Sequence, residues 1–201
     1  MKHPETREIT FIQPTYTEEE AKKAVEYQKK RFGKGEKRTG VEWLESLPVY
    51  VPFWLVEMEM DLYDPRMKTT VPKRYRAIVN GLTCRGMLLQ GDLQLVTREI
   101  TGVIVDNDHP SDKIREAARL DILSTTRKLL KPPPHRVLPN ERLFYYPMSM
   151  VHCTVKGKED VRMFDYFRGG LDKMFLNYLR YKERNEEKRT GVKTPNPIPK
   201  F

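Results

Sequence analysis

Apolar positions along the chain alternate in some stretches and recur at helical spacing in others, and the order of the two kinds repeats. A β-like stretch at Thr6-Arg7-Glu8-Ile9-Thr10 leads through a polar turn to Thr17-Glu18-Glu19-Glu20. These four form a capping box: the Thr17 hydroxyl is placed for the amide of Glu20, and the Glu20 carboxylate can reach back. Ala21, Ala24, Val25 and Phe32 then lie broadly on one face, predicting a helix to about Phe32, with Gly33 as its left-handed cap. Next comes a strand, Val49 to Val56, rich in aromatic and β-branched residues with proline at its fourth place, and a partner strand at Tyr75 to Val79. The same sequence of elements follows from Thr97. Pro110-Ser111-Asp112 opens a helix to about Leu130 whose apolar positions are Ile114, Ala117, Ala118, Leu123, Leu129 and Leu130. Asp108 or Ser111 is positioned to accept its first amides. The Pro-centred strand Phe144 to Val151 and its partner Val161 to Phe164 follow.

The pentapeptide Thr6–Thr10 recurs letter for letter as Thr97–Thr101, 91 positions on, and the two strand prolines, Pro52 and Pro147, are 95 apart. Drift of that size is what loop insertions produce. The pattern predicts an α+β fold of two pseudo-symmetric strand-helix-hairpin repeats, residues 1–92 and 93–184, packed as one unit. They would form an antiparallel sheet with helices on one face. A proline inside a strand cannot donate to the ladder, so each Pro-centred strand is expected at an edge or bulge. Between the halves, Asn80-Gly81 predicts a two-residue hairpin turn and Gly91-Asp92 a second, with Leu82–Gln90 and Leu93–Val105 extending the sheet. Residues 57–74 read as a long hairpin loop. Phe164, Phe167, Leu171, Met174, Phe175, Tyr178 and Leu179 recur at spacings of three and four, predicting a C-terminal helix from about Gly170 to Tyr181. Residues 185–201, proline-rich with little to bury, are expected as an extended arm.

Composition narrows the class. In 201 residues, 38% are apolar and 10% aromatic, enough for a folded core. The best apolar run, Leu47 to Val56, is broken by two prolines and falls well short of a membrane span. The first ten residues lack an apolar stretch and carry mixed charges, so neither a secretory signal nor a transit peptide is expected. Cys84 and Cys153 stand outside any CxxC pair, which fits a reducing, cytoplasmic compartment.

The formal charge of +9 invites a nucleic-acid reading, but its distribution weakens it. Residues 1–130 carry 22 basic and 20 acidic side chains, whereas residues 161–201 carry 10 and 5. One further concentration is Lys29 to Arg38, with Lys29, Lys30, Arg31, Lys34, Lys37 and Arg38 against a single Glu, read as a flexible basic loop. A nearly neutral body with basic appendages suits docking on an acidic partner better than reading bases.

Among candidate sites, Asp106, Asp108 and His109 between a strand and a helix offer hard oxygen ligands and one imidazole, a possible divalent-cation site, though an Asx-rich turn before Pro110 is also ordinary helix-start chemistry. His152-Cys153 pairs a nucleophile with a base in sequence only, since neighbours in a strand face opposite ways. Cys84 reads as a small hydrophobe. Gly33-Lys34-Gly35 lacks the strand and helix of a phosphate loop, and Lys131-Pro132-Pro133-Pro134-His135 reads as a stiff connection. Tyr50, Phe53, Trp54, Tyr145 and Tyr146 could stack on bases, but alternation sends at least half of them inward. No motif calls for a cofactor. The expectation is a non-catalytic structural or adaptor subunit of a larger intracellular protein assembly, docking through exposed loops and a basic arm that includes Arg184, Lys188, Arg189, Lys193 and Lys200. The alternatives are an RNA- or DNA-associated protein using Lys29–Arg38 and those C-terminal residues, and a metal-dependent enzyme centred on Asp106, Asp108 and His109.

Overall fold

The computed structural model describes residues 4–26, 29–32, 35–38, 41–172 and 177. Its elements are β1 (Glu5–Ile12), α1 (Glu18–Glu26), β2 (Lys29–Phe32), β3 (Gly35–Arg38), β4 (Val41–Asp64), β5 (Thr69–Asn80), β6 (Gly86–Leu88), β7 (Leu95–Ile104), α2 (Ser111–Thr125), β8 (His135–Val137), β9 (Arg142–Val155), β10 (Lys158–Asp165) and β11 (Gly170–Asp172). Among the described residues it is a mixed α/β fold, mostly strands, with helices α1 and α2 and a nine-stranded sheet in the order β11-β10-β9-β1-β7-β4-β5-β6, β8 lying beside β4. A separate two-stranded sheet joins β2 and β3.

The sheet is not purely antiparallel as expected. Phe11 of β1 pairs in parallel with Tyr145 of β9, and Val49 and Tyr50 of β4 pair in parallel with Val103 and Ile104 of β7. Because β4 and β9 also pair directly, from Val41 with Val155 to Leu55 with Arg142, the pairings β9–β1, β1–β7, β7–β4 and β4–β9 close a circuit. The two pentapeptides lie side by side in β1 and β7, with Thr6 opposite Thr101, Glu8 opposite Glu99 and Thr10 opposite Thr97. Hydroxyls meet at 2.9 Å in the Thr6–Thr101 pair and 2.8 Å in the Thr10–Thr97 pair. The two Pro-centred strands likewise face one another, Tyr50 opposite Pro147 and Pro52 opposite Tyr145.

Both prolines therefore sit in central strands, not at an edge or bulge as the sequence suggests. Their missing amides fall where nothing is lost. Backbone groups of successive strand residues point to opposite sides. Tyr50 and Pro52 direct theirs away from β9, accepting from Val105 and Gly81 respectively. Pro52 lies between the stretch of β4 that pairs β7 and the stretch that pairs β5. Pro147 lies equivalently between the β1 and β10 pairings of β9.

Alternation along β4, shifted once by an irregularity between Trp43 and Glu45, puts Trp43, Val56, Met58 and Met60 on one face. That face carries both helices. Ala21 and Val25 of α1 pack with Trp43, Cys153 and Phe164, while Ile114, Ala118, Ile122 and Leu123 of α2 pack with Val56, Met58, Met60, Ala77 and Val79. Val49 and Val51 on the opposite face bury themselves with Leu82, Val103, Met148, Met150 and Met163.

Several boundaries differ from the sequence reading. The capping box forms as expected, with Thr17 N donating to Glu20 Oε2 at 2.8 Å and Glu20 N to Thr17 Oγ1 at 3.3 Å. However, α1 ends at Glu26, and Lys29–Arg38, read as the helix end and a flexible loop, forms the β2–β3 hairpin. Between Val25 and Phe32 only Tyr27 is apolar, so packing ceases to support the helix there. Helix α2 stops at Thr125, short of Leu130: Arg127, at φ 57°, makes the left-handed stop, with Arg127 N bonded to Ser124 O and Lys128 N to Leu123 O. The N-cap is Pro110, which has no capping side chain, and the Ser111 hydroxyl donates to Glu141. The 57–74 stretch is not a loop, since β4 and β5 pair out to Asp64 opposite Thr69. Gly170–Asp172 is a strand and not a helix start, and apart from Asn177, which is helical, the rest of the expected C-terminal helix and the arm 185–201 lie outside the described residues.

Asn80-Gly81 is a turn, but not a two-residue one. Asn80 Oδ1 accepts from Leu82 N and Thr83 N, and the left-handed residue is Cys84 at φ 53°. The two-residue turn with both positions left-handed is Lys156-Gly157 in the β9–β10 hairpin. At Gly91-Asp92, Gly91 is left-handed at φ 86°, but the strands on either side of it, β6 and β7, do not pair with each other.

Gly102 of β7 marks a close approach of β4 within the closed circuit. A Cβ there would stand 2.8 Å from the carbonyl oxygen of Pro48 and 3.0 Å from the Tyr50 ring. Gly102→Ala is expected to lower stability by about 2 kcal/mol in chemical denaturation. Gly170→Ala, where a Cβ meets nothing within 4 Å, is expected to change it little.

Candidate functional site

The Asp106–His109 turn links β7 to α2, and Asn107, in the same polar cluster but not among the candidate ligands, is one of the residues that tie it down. Asn107 Oδ1 accepts from Trp54 Nε1 at 3.1 Å, and its amide donates to the His109 carbonyl. His109 Nε2 lies 3.0 Å from the carbonyl of Leu82, and Asp108 N donates to the Gly81 carbonyl. Gly81 is needed here for closeness, since a Cβ would stand 2.5 Å from Asn107 Oδ1. The imidazole of His109 is thus turned toward the Asn80–Arg85 turn. Among the described residues, no three His, Cys, Asp or Glu side chains come together in a way that could hold a metal ion.

Next to this turn, the first residues of α2 are tied to the start of β9. Glu141 Oε1 accepts from the Ser111 hydroxyl and the Arg115 guanidinium. These two donors, Arg115 foremost, hold the Glu141 carboxyl down at about 2 against an ordinary value near 4.5. Glu141 Oε2 and Arg115 Nε are buried without a protein partner.

Two grooves flank α2. One, of about 540 Å³, lies between the Cys84–Gly86 turn and the helix residues Lys113, Ala117 and Asp121. Burial pushes the Asp121 carboxyl up, opposed by a backbone hydrogen bond at Leu88. Cys84 Sγ is directed to the Lys113 carbonyl at 3.5 Å. The other groove, of about 500 Å³, lies between the distal half of the β4–β5 hairpin, at Asp61, Tyr63 and Thr70, and the α2–β8 connection, at Lys128, Lys131 and Pro133. Of its lining residues Tyr63 is 65% exposed, and Leu130, next to Lys131 in the chain, is 97% exposed.

The remaining sequence candidates are dispersed. Cys153 is buried and directed to the Asp160 carbonyl, while His152 stands 3.6 Å from Glu159, so the two do not form a pair. Tyr50, Phe53, Tyr145 and Tyr146 pack inward, with ring centroids 5.8 Å apart for Phe11–Tyr50 and 5.4 Å for Phe53–Tyr146. The proline run ends docked on β4, with Asp61 N donating to the Pro134 carbonyl. In the β2–β3 hairpin, Lys29 lies opposite Arg38 and Lys30 opposite Lys37. Gly33, Lys34, Arg184, Lys188, Arg189, Lys193 and Lys200 lie outside the described residues. No helix among the described residues is long and apolar enough to cross a membrane.

A carboxyl held below its unfolded value stabilises the fold above that unfolded value, and the contribution is lost as pH falls toward the folded one. Glu141→Gln is therefore expected to cost about 1 to 2 kcal/mol at pH 7, allowing for the partly exposed Arg115. In urea titrations the gap between variant and parent should close as pH is lowered from about 5 toward 2.

No protein-family model, curated protein or solved structure matches the chain.

Proposed function

We propose that this chain is a non-catalytic adaptor subunit of a larger intracellular protein assembly. Its body is two related halves, residues 1–92 and 93–184, and it docks through exposed loops and the basic arm 185–201. The observation that carries the reading is the exposed apolar surface at the distal hairpin groove, where Tyr63 lines the wall with Lys128 and Lys131, and Leu130, between the two lysines in the chain, is left in water. Apolar side chains clustered at a groove with a polar rim are the usual mark of a partner surface. The two half-chains are supported by the pairing of each repeated segment with its own copy, Glu8 opposite Glu99 in one case and Val51 opposite Tyr146 in the other. A duplicated β-α-β-β unit packed about a local two-fold axis gives that register for both segments at once.

A second reading has an observation of its own. The β2–β3 register sets like charges across one ribbon, Lys29 with Arg38 and Lys30 with Lys37. A ribbon that concentrates basic residues in this way favours a polyanion, and with it an RNA- or DNA-associated role. A salt series on binding to duplex DNA and single-stranded RNA decides it: affinity that falls steeply with salt supports this reading, and none at low salt excludes it.

For the adaptor reading, the test is the size at which the untagged protein elutes from extracts of its native cell. It is expected in a species well above 23.8 kDa, and removal of residues 185–201 is expected to shift it toward the monomer with the melting temperature unchanged. Elution of the intact chain as a monomer would reject the adaptor, and an unchanged large species after truncation would reject the arm.

A further inference from the structure

We infer that the distal edge of β4, at Asp61 and Tyr63, takes up an extended acidic peptide segment of a partner protein as an added strand. This deepens the adaptor reading and rests on it. Backbone groups of β4 point alternately to its two sides. Glu57 O accepts from Leu138 N and Asp61 N donates to Pro134 O, so the odd-numbered residues of this stretch direct their backbone groups toward β8. The last residue pair on that side is Met60 with His135, and Pro132 to Pro134 precede it. Prolines carry no amide and cannot continue a ladder. Beyond Pro134, the amide and carbonyl of Tyr63 face an edge with no strand beside it among the described residues, while Tyr63 stays paired with Thr70 on its other side.

The edge is built to be filled from one direction. On the outer side of the same hairpin, β5 carries Pro72 and Lys73 beyond its short pairing with β6, the usual protection of a strand edge against association. On the β4 side, the open backbone borders the groove of about 500 Å³. Lys128 and Lys131 line it against a single carboxylate, Asp61, which gives its wall a net positive charge. Tyr63 and Leu130 supply exposed apolar contact, 65% and 97% in solvent. Strand addition draws affinity from main-chain hydrogen bonds and specificity from alternate side chains. An occupant with acidic residues toward the lysines and β-branched residues toward Tyr63 and Leu130 satisfies both.

The test uses the full chain and two blocked heptapeptides, one alternating Asp and Val and one alternating Lys and Val. Fluorescence anisotropy is expected to give at least tenfold tighter binding of the Asp-Val peptide, and hydrogen exchange at the Tyr63 amide is expected to slow on its addition. Tyr63→Pro removes the outward amide together with the ring and is expected to weaken binding at least tenfold more than Tyr63→Ala, which removes the ring alone; Lys128→Glu with Lys131→Glu reverses the charge away from the strand and is expected to weaken binding at least tenfold, while Tyr63→Phe is expected to retain it. Equal binding of both peptides, or parent-like binding by the charge-reversed variant, overturns the inference. Absence of peptide binding in a chain that still elutes in a large native complex overturns the edge and leaves the adaptor reading standing. Peptide binding by a chain that elutes from its native cell as a monomer does the reverse.

Discussion

The fold depends on one long antiparallel pairing, Val41–Leu55 of β4 against Arg142–Val155 of β9. Each strand then uses its other edge twice, β4 for β7 and then β5, and β9 for β1 and then β10. A strand that changes partner along one edge leaves a gap in the ladder, and a backbone amide pointing into that gap would be buried without an acceptor. Pro52 and Pro147 stand at the two gaps and have no amide to leave unpaired. The Pro52 carbonyl still finds a donor in Gly81, which is how the turn after β5 is pinned to the centre of the sheet. From that contact follow the closeness of Gly81 to Asn107, the bond from Trp54 to Asn107, and the placement of His109 over Leu82.

The same pairing explains why both faces of β4 are apolar. One face fills the closed circuit with Val49, Val51 and Met150, and the other carries α2 on Val56, Met58 and Met60. Burial of Met60 beneath the α2–β8 region anchors the root of the distal hairpin, so its outer half is held out on a rigid base. Such a base lowers the ordering cost of whatever binds there.

Much of this was legible in the sequence, and the parts that were not share a cause. Thr17 and Glu20 announce their helix because a capping box is local chemistry. The aromatic strands announce themselves by composition. The parallel pairings of β1 with β9 and β7 with β4 depend on residues far apart in the chain, and no local pattern encodes them. Asn80-Gly81 misled because glycine there answers a steric demand from Asn107, while four left-handed positions fall on Lys68, Cys84, Arg127 and Lys156, types that carry no turn signal. Of the candidate residues, Asp106, Asp108 and His109 stand out as ligand types, while the bond of Asn107 to Trp54, 53 positions away, has no local signal. Glu141 was invisible because its partners, Ser111 and Arg115, are about thirty positions away.

The edges of the sheet carry the last step. Its two ends are strands of three residues, β6 and β11, too short to template another chain. The outer side of β5 is guarded by Pro72 and Lys73. Beside β4, the chain uses three prolines to end β8 just short of Tyr63, and then leaves Leu130 and Tyr63 in water. A protein that only needed to suppress association could have let β8 run on over that edge. Stopping it there leaves main-chain hydrogen-bonding capacity, the basis of strand addition, beside apolar surface, with lysines across the groove to favour an acidic strand.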